Sequence, residues 1–177
     1  KQVFVLTPAS LKMNFFSEMK KCGDDLYKKN QYWEFISIEG NPEYLTVLSK
    51  ALSLPIDNVR KNKGAWLVNI NKPSNYDTLT SLEQESLDKQ LFKMIEQKYY
   101  FIKYNGIRMK QLDELSSNNT FNPFCNKVII IDEAHNFVSR IVNKLNRQNT
   151  VPMRMYNYLM TAENCKIILL TGTPIIN

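Results

Sequence analysis

The segment that most restricts the fold is a run of four β-branched residues, Val128–Ile131, followed directly by Asp132 and Glu133. Such a run is typical of a strand that is buried on both faces of a parallel sheet. Ile167–Leu170 repeats the pattern, and Val3–Leu6 is a third short apolar strand. Because amphipathic helical patterns separate these strands, the sequence predicts an α/β domain with a mostly parallel sheet.

Turn and capping signals predict the remaining elements. Ser10 can cap a helix that ends at Gly23, and Thr80 with Glu83 forms a capping box for another. Asn41-Pro42 predicts the start of a helix that Pro55 bounds. Weaker patterns predict strands at 33–38, 66–70 and 99–104, helices at 108–115, 136–145 and 152–162, and a loop at 116–123.

Composition limits the class of protein. The chain has 23 basic and 17 acidic residues, which permits a polyanionic partner, although the lysines are spread out and a solvated basic surface is an equal alternative. The apolar runs are too short to cross a membrane. The three cysteines are far apart, which predicts free thiols in an intracellular protein, and a single histidine excludes a His-rich metal site.

Polar residues follow all three strong strands. They are Thr7-Pro8-Ala9-Ser10, then Asp132-Glu133-Ala134-His135, then Thr171-Gly172-Thr173. Parallel strands place their carboxyl ends at one edge of a sheet, where ligands bind in open α/β folds. We therefore expect one site assembled from three loops. Taken alone, the Asp132-Glu133 pair is more often a plain helix N-terminus, where carboxylates are favoured by the helix dipole.

These three segments together resemble conserved motifs of superfamily 2 helicases. Ile130–His135 resembles the DEAH-type motif II, which is the Walker B element; Leu170–Pro174 resembles motif III, and Leu6–Leu11 resembles motif Ia. Within that superfamily the segments are most similar to the poxvirus-type helicases and nucleoside triphosphatases of large DNA viruses, and next to the Swi2/Snf2-like translocases.

The resemblance implies a RecA-like P-loop NTPase lobe that uses ATP and Mg²⁺. Asp132 would hold Mg²⁺, commonly through water, and Glu133 would orient or deprotonate the attacking water, so these two are the candidate catalytic residues. It also implies that His135 contacts motif III, so that Thr171, Gly172 and Thr173 couple nucleotide state to movement. A lone histidine is otherwise most often structural.

The resemblance further implies sequence-independent contact with the backbone of DNA or RNA. Thr7, Pro8 and Ser10 would supply the motif Ia contacts, and the turn Asn105-Gly106 could occupy the place of motif Ib, or be a turn and nothing more. Transcription machinery is a further possible partner. A viral source would place the protein in the host cytoplasm or nucleus, or in the virion.

One expected motif is absent. No Gly-x-x-x-x-Gly-Lys-Ser/Thr occurs in the sequence, so the phosphate-binding loop of motif I and its strand are missing. We therefore expect residues 1–177 to be part of a helicase ATP-binding domain, from motif Ia to motif III, that is inactive without motif I and without the second RecA-like lobe with its arginine finger. Residues 30–104 would be a family-specific elaboration.

Two alternatives stay open. The fold could serve as a non-catalytic module that binds nucleic acid or a transcription partner. It could also belong to a nucleoside triphosphatase that moves on duplex DNA without unwinding it. The sequence does not separate these from a helicase.

Overall fold

The computed structural model describes residues 2–147 and 149–173. The chain divides into two compact units. The four-strand unit comprises residues 1–12 and 98–177, and the inserted unit comprises residues 13–97. Among the helices that the structure describes, none has both the length and the apolar character needed to cross a bilayer.

Strands and helices alternate along the chain. The strands are β1 (Val3–Thr7), β2 (Tyr32–Ser37), β3 (Gly64–Asn69), β4 (Tyr99–Lys103), β5 (Val128–Ile131) and β6 (Lys166–Leu169). The helices are α1 (Lys12–Cys22), α2 (Tyr44–Leu52), α3 (Ile56–Lys61), α4 (Ser81–Lys98), α5 (Met109–Leu115), α6 (Ala134–Val142) and α7 (Val151–Met160). A short 3₁₀ helix spans Tyr76–Thr78.

The four-strand unit contains a fully parallel sheet. Its strand order is β4-β1-β5-β6, and each neighbouring pair is parallel. Leu6 pairs with Ile102 of β4 on one side and with Ile131 of β5 on the other. This register brings the carboxyl ends of the strands to one edge of the sheet. The predicted α/β class with a parallel sheet is confirmed, and the architecture is consistent with a RecA-like lobe.

One face of this sheet carries the core of the unit. Side chains alternate along a strand, so Phe4, Leu6, Ile102, Ile129 and Ile131 all lie on the same face. They pack against α5, α6 and α7 through Leu112, Phe137, Ile141, Met155, Tyr158 and Leu159. Burial of each such large side chain stabilises the fold by about 1.5–3 kcal/mol. This cluster fixes the strand ends that carry the candidate site.

Two strands are less buried than their sequence predicts. In β5, Ile129 and Ile131 are buried, but Val128 and Ile130 are only partly so. In β6, Ile167 is 39% exposed and Leu169 is 57% exposed. The physical reason is position, because β6 is at the edge of the sheet and pairs only with β5 among the described residues. The segment Ile167–Leu170 has the pattern of a buried strand, but among the described residues it forms an exposed apolar edge.

An apolar edge strand of this kind favours association with other chains. We expect the 177-residue chain to self-associate as its concentration rises, because β6 offers unpaired backbone groups beside Ile167 and Leu169. Leu169→Lys should reduce that association, since a lysine on an edge strand opposes strand addition. Light scattering coupled to size exclusion would measure it. The control is Leu82→Lys, which removes an apolar side chain exposed on α4. Equal effects of the two variants would contradict the edge explanation.

The inserted unit is built around a two-stranded antiparallel sheet of β2 and β3. In each strand, a side-chain amide forms hydrogen bonds with the backbone N–H and carbonyl of a tryptophan. Asn75 accepts from the Trp33 N–H at 2.8 Å and donates to the Trp33 carbonyl at 2.9 Å. Gln90 accepts from the Trp66 N–H and donates to the Trp66 carbonyl, both at 2.8 Å. Each amide imitates a neighbouring strand, which offsets the cost of unpaired backbone in so small a sheet.

The helix boundaries agree with the sequence in part. The Thr80–Glu83 capping box is present, with the Thr80 N–H donating to Glu83 Oε2 at 2.8 Å. Helix α2 instead begins at Tyr44, after Glu43, so the predicted start at Asn41-Pro42 is two residues early. The short helix α3 was not predicted. Its six residues contain too few apolar positions to show a helical period.

Candidate functional site

The edge of the parallel sheet brings the ends of β1 and β5 into contact. The Asp132 N–H donates to the Leu6 carbonyl at 2.8 Å, which extends the pairing of the two strands by one residue. The Thr7 hydroxyl then donates to Asp132 Oδ2 at 3.1 Å. Thr7 is fully buried, so its side chain orients the Asp132 carboxylate from within the fold.

Glu133 occupies a sharp turn between β5 and α6. Its backbone is in the left-handed region, with φ 49° and ψ 50°, which is uncommon for a residue with a side chain. The Glu133 N–H donates to Asp132 Oδ1 at 3.0 Å. The turn thus ties the backbone of one carboxylate residue to the side chain of the other, and α6 starts immediately afterwards at Ala134.

His135 connects this turn to the end of β6. Its Nδ1 lies 2.8 Å from Thr171 Oγ1 and 3.3 Å from Glu133 Oε2. The backbone joins the same segments, because the Ala134 N–H donates to the Leu170 carbonyl at 2.9 Å. Thr171 Oγ1 also accepts from the Thr173 N–H at 3.2 Å. The structure therefore places His135 beside both Glu133 and Thr171, which is the proximity expected of motifs II and III.

The local geometry at the two glycines of the predicted site, Gly106 and Gly172, would also accept a residue with a side chain. Gly172 and Gly106 do not have a positive φ, and a Cβ on either would meet no described atom within 4 Å. The backbone at Gly172 therefore does not require a glycine. Pro174, the last motif III residue, lies outside the described residues.

Only some of the residues predicted to contact nucleic acid are exposed. Pro8 is buried, whereas Ser10, Asn105 and Gly106 are exposed. Thr7 faces Asp132 instead of the surface. A backbone contact with nucleic acid through the segment after β1 would thus involve Ser10 and the peptide groups near it.

A groove of about 340 Å³ lies between the segments that follow β1 and β4. Ala9 and Lys12 line one side, and Lys103, Gly106 and Gln111 line the other. The Lys12 ammonium lies 5.2 Å from the centre of the Phe101 ring, which holds it over the groove wall. Two lysines with nearby backbone and amide groups suit an anionic ligand such as a phosphate backbone.

The donor set at Asp132 fits a Mg²⁺ that is shared with phosphate. The described residues contain no group of three or more His, Cys, Asp or Glu side chains that could hold a metal ion alone. Mg²⁺ keeps several waters and is usually held by one or two carboxylates together with substrate phosphates. From the described residues, the Asp132 carboxylate accepts one hydrogen bond on each oxygen, which leaves a lone pair on each for a metal ion or its water.

Sequence reasoning missed Tyr104, which lies directly after β4. Its hydroxyl lies 3.2 Å from the carbonyl oxygens of both Asp132 and Glu133. Burial, followed by the nearby charges of Asp132 and Glu133, raises the pKa of Tyr104 to about 12. The hydroxyl therefore keeps its proton at neutral pH and can donate a hydrogen bond to these carbonyls. A tyrosine at the end of an apolar strand was the available signal, because a buried tyrosine needs a partner for its hydroxyl.

Comparison with known proteins shows a short similarity to viral proteins. Over 47 residues the chain is 45% identical to the protein called "Termination factor NPH-I homolog" from African swine fever virus, in the Pretoriuskop Pr4/1996 tick isolate and the Wart80/1980 warthog isolate alike. The match covers 27% of this chain and 6% of the length of those relatives. No protein-family model and no solved structure matches the chain. The chain is therefore similar to a small part of these viral proteins, over this segment alone.

The three cysteines are free thiols, as predicted. Cys22 is exposed, whereas Cys125 and Cys165 are partly buried near the starts of β5 and β6. Burial raises the pKa of the Cys165 thiol. None of the three lies in the segments that form the candidate site.

Proposed function

We propose that the four-strand unit is part of the ATP-binding lobe of a nucleic-acid-dependent ATPase, a helicase or a translocase. The observation that carries this proposal is the joining of three strand ends at one edge. Thr7 contacts Asp132, and His135 contacts both Glu133 and Thr171. A site assembled from several loops at the carboxyl edge of a parallel sheet is where α/β folds bind nucleotides.

Each carboxylate has a role that its position supports. Asp132, held by the Thr7 hydroxyl and by the Glu133 N–H, would bind Mg²⁺ with the β- and γ-phosphates of ATP. The metal would neutralise the charge that develops on the phosphates during transfer. Glu133, whose side chain is partly exposed beside His135, would orient or deprotonate the attacking water. His135 and Thr171 would transmit nucleotide state to the end of β6.

The distribution of charge supports a nucleic-acid partner for the same unit. Residues 1–12 and 98–177 contain 12 basic and 5 acidic side chains, whereas residues 13–97 contain 11 basic and 12 acidic. The excess positive charge of the chain thus belongs entirely to the four-strand unit. With the groove beside Lys12 and Lys103 and the exposed Asn105-Gly106 turn, this favours contact with a phosphate backbone of any sequence.

The short similarity to a viral protein named as a termination factor also supports a nucleic-acid partner. A role in transcription, with transcription machinery as partner, is therefore part of the proposal. The family-specific elaboration predicted at residues 30–104 would then be the inserted unit, residues 13–97, since residues 98–104 belong to the four-strand unit. The inserted unit has no net positive charge and is a poor candidate for the nucleic-acid surface.

The test is ATP hydrolysis by the full-length protein, with and without nucleic acid. We expect single-stranded or duplex nucleic acid to raise the rate of ATP hydrolysis. The form of nucleic acid that raises it most would identify the substrate along which the protein moves. Stimulation should weaken as salt is raised, because phosphate contacts release counterions. A full-length protein that binds nucleic acid but hydrolyses no ATP would favour the non-catalytic binding module.

A further inference from the structure

We infer that Tyr104 is a positioning residue that links the Asn105-Gly106 turn to Glu133. The inference rests on the proposed function. Through Tyr104, nucleic acid bound at the Asn105-Gly106 turn would change the position of the Glu133 carboxylate, which would act on the attacking water. Tyr104 directly follows β4, and its hydroxyl contacts the turn between β5 and α6.

The strand order explains why a tyrosine is needed there. Strands β4 and β5 are not neighbours, because β1 lies between them. Their axes are therefore about 10 Å apart, two strand spacings. The Tyr104 side chain is 1% exposed, and its ring packs edge-to-face on Phe137 of α6 with centroids 5.4 Å apart. Only a long side chain with a polar end can pass under α6 and reach the end of β5.

The hydroxyl acts on a backbone segment that is strained. Tyr104 has one proton and two carbonyl acceptors at 3.2 Å, one on Asp132 and one on Glu133. Glu133 between them has a left-handed backbone, a conformation that costs free energy for a residue with a Cβ. A donor shared by the carbonyls of the two peptide groups that flank the Glu133 Cα holds that conformation, and with it the direction of the carboxylate.

A second contact joins the same two segments. Arg140 of α6 donates from Nη1 to Asn105 Oδ1 at 3.5 Å. Tyr104 therefore contacts the residue before α6, and Asn105 contacts a residue within α6. A nucleic-acid backbone that moves the exposed Asn105-Gly106 turn would move the adjacent Tyr104 hydroxyl, and the Glu133 turn would respond.

The experiment compares Tyr104→Phe with the wild type in the full-length protein. Phenylalanine keeps the ring on Phe137 and removes only the hydroxyl. We measure kcat and KM for ATP with and without saturating single-stranded or duplex DNA or RNA. We expect nucleic-acid stimulation of kcat to fall about three- to tenfold, the effect of one lost hydrogen bond. The KM for ATP and the nucleic-acid affinity should stay within about twofold, because Tyr104 is buried and its hydroxyl is bonded to protein carbonyls.

The matched control is Tyr158→Phe. It removes a hydroxyl that donates to Asn119 at 2.7 Å, in the same unit but away from the sheet edge. Loss of this hydroxyl should leave the ratio of stimulated to basal rate unchanged. An unchanged ratio in Tyr104→Phe, whatever happens to the absolute rates, would overturn the inference and leave the proposed function intact. A wild-type protein that nucleic acid does not stimulate would overturn both.

A second measurement gives a decisive result in the wild type alone. Hydrogen exchange of the peptide that covers residues 128–137 is followed in the wild type without ATP, before and after nucleic acid is added. We expect the exchange rate at this peptide to change in the wild type and to change less in Tyr104→Phe. No change in the wild type would overturn the inference even if Tyr104→Phe failed to fold.

Discussion

Replacement of Glu133 by glutamine is expected to lower ATP turnover by the full-length protein about 10²–10⁴-fold, which is the usual contribution of a general base. Glutamine keeps the size of the side chain and its contact with His135 but cannot accept a proton from water. Asp132, Thr7 and the left-handed turn are unchanged by the substitution. Nucleotide and nucleic acid should therefore still bind, while hydrolysis falls by that factor.

The measurement combines steady-state hydrolysis with direct nucleotide binding. Glu114→Gln is the matched control, because Glu114 is exposed on α5 in the same unit and should tolerate the same change without effect. If Glu133→Gln hydrolysed ATP at the rate of Glu114→Gln, Glu133 would not be the base. The assignment of motif II to Asp132-Glu133-Ala134-His135 would then lose its main support.

The proximity of His135 and Thr171 illustrates what residue pattern alone can predict. Both lie just after apolar strands, and two parallel neighbouring strands must end at the same edge. The 2.8 Å contact between His135 Nδ1 and Thr171 Oγ1 follows from that rule once β5 and β6 are neighbours. Their catalytic and coupling roles remain predictions, since geometry brings groups together without showing what they do.

The part of the site that pattern did not predict depends on the order of strands. Tyr104 reaches Asp132 and Glu133 only because β1 lies between β4 and β5 and α6 covers that face. No local signal in the sequence specifies that order. The same holds for Thr7, whose position after a strand suggested a surface contact. The pairing of β1 with β5 instead turns its hydroxyl onto the Asp132 carboxylate.

The inserted unit was difficult to predict for a different reason. Its two-stranded sheet is too small to be stable alone, so its strands depend on Asn75 and Gln90, which lie far away in sequence. The spacing of apolar residues indicates which face of a strand or helix is buried. It gives no sign that a distant side-chain amide will bond to the backbone of a strand. Local patterns therefore located β2 and β3 but gave no account of what holds them.

The second large effect concerns stability. Phe124→Ala is expected to lower the free energy of unfolding by about 3–5 kcal/mol, the usual result of truncating a buried phenylalanine. Phe124 is fully buried, and its ring packs edge-to-face on Phe4 of β1 at 5.5 Å and on Tyr158 of α7 at 6.3 Å. It is the side chain through which the segment between α5 and β5 enters the core. Domains of this size are stable by about 5–15 kcal/mol in total, so the loss should be large.

Urea unfolding of the 177-residue chain at low concentration, followed by far-UV circular dichroism, would measure this loss. Tryptophan fluorescence is unsuitable, because Trp33 and Trp66 both lie in the inserted unit and would not follow the four-strand core. Phe121→Ala is the control, since Phe121 is in the same loop but more than half exposed, and its removal should cost less than about 1 kcal/mol. Equal midpoints for the two variants would show that the loop does not belong to the core. The position of β5, and with it that of Asp132, would then depend on the helices alone.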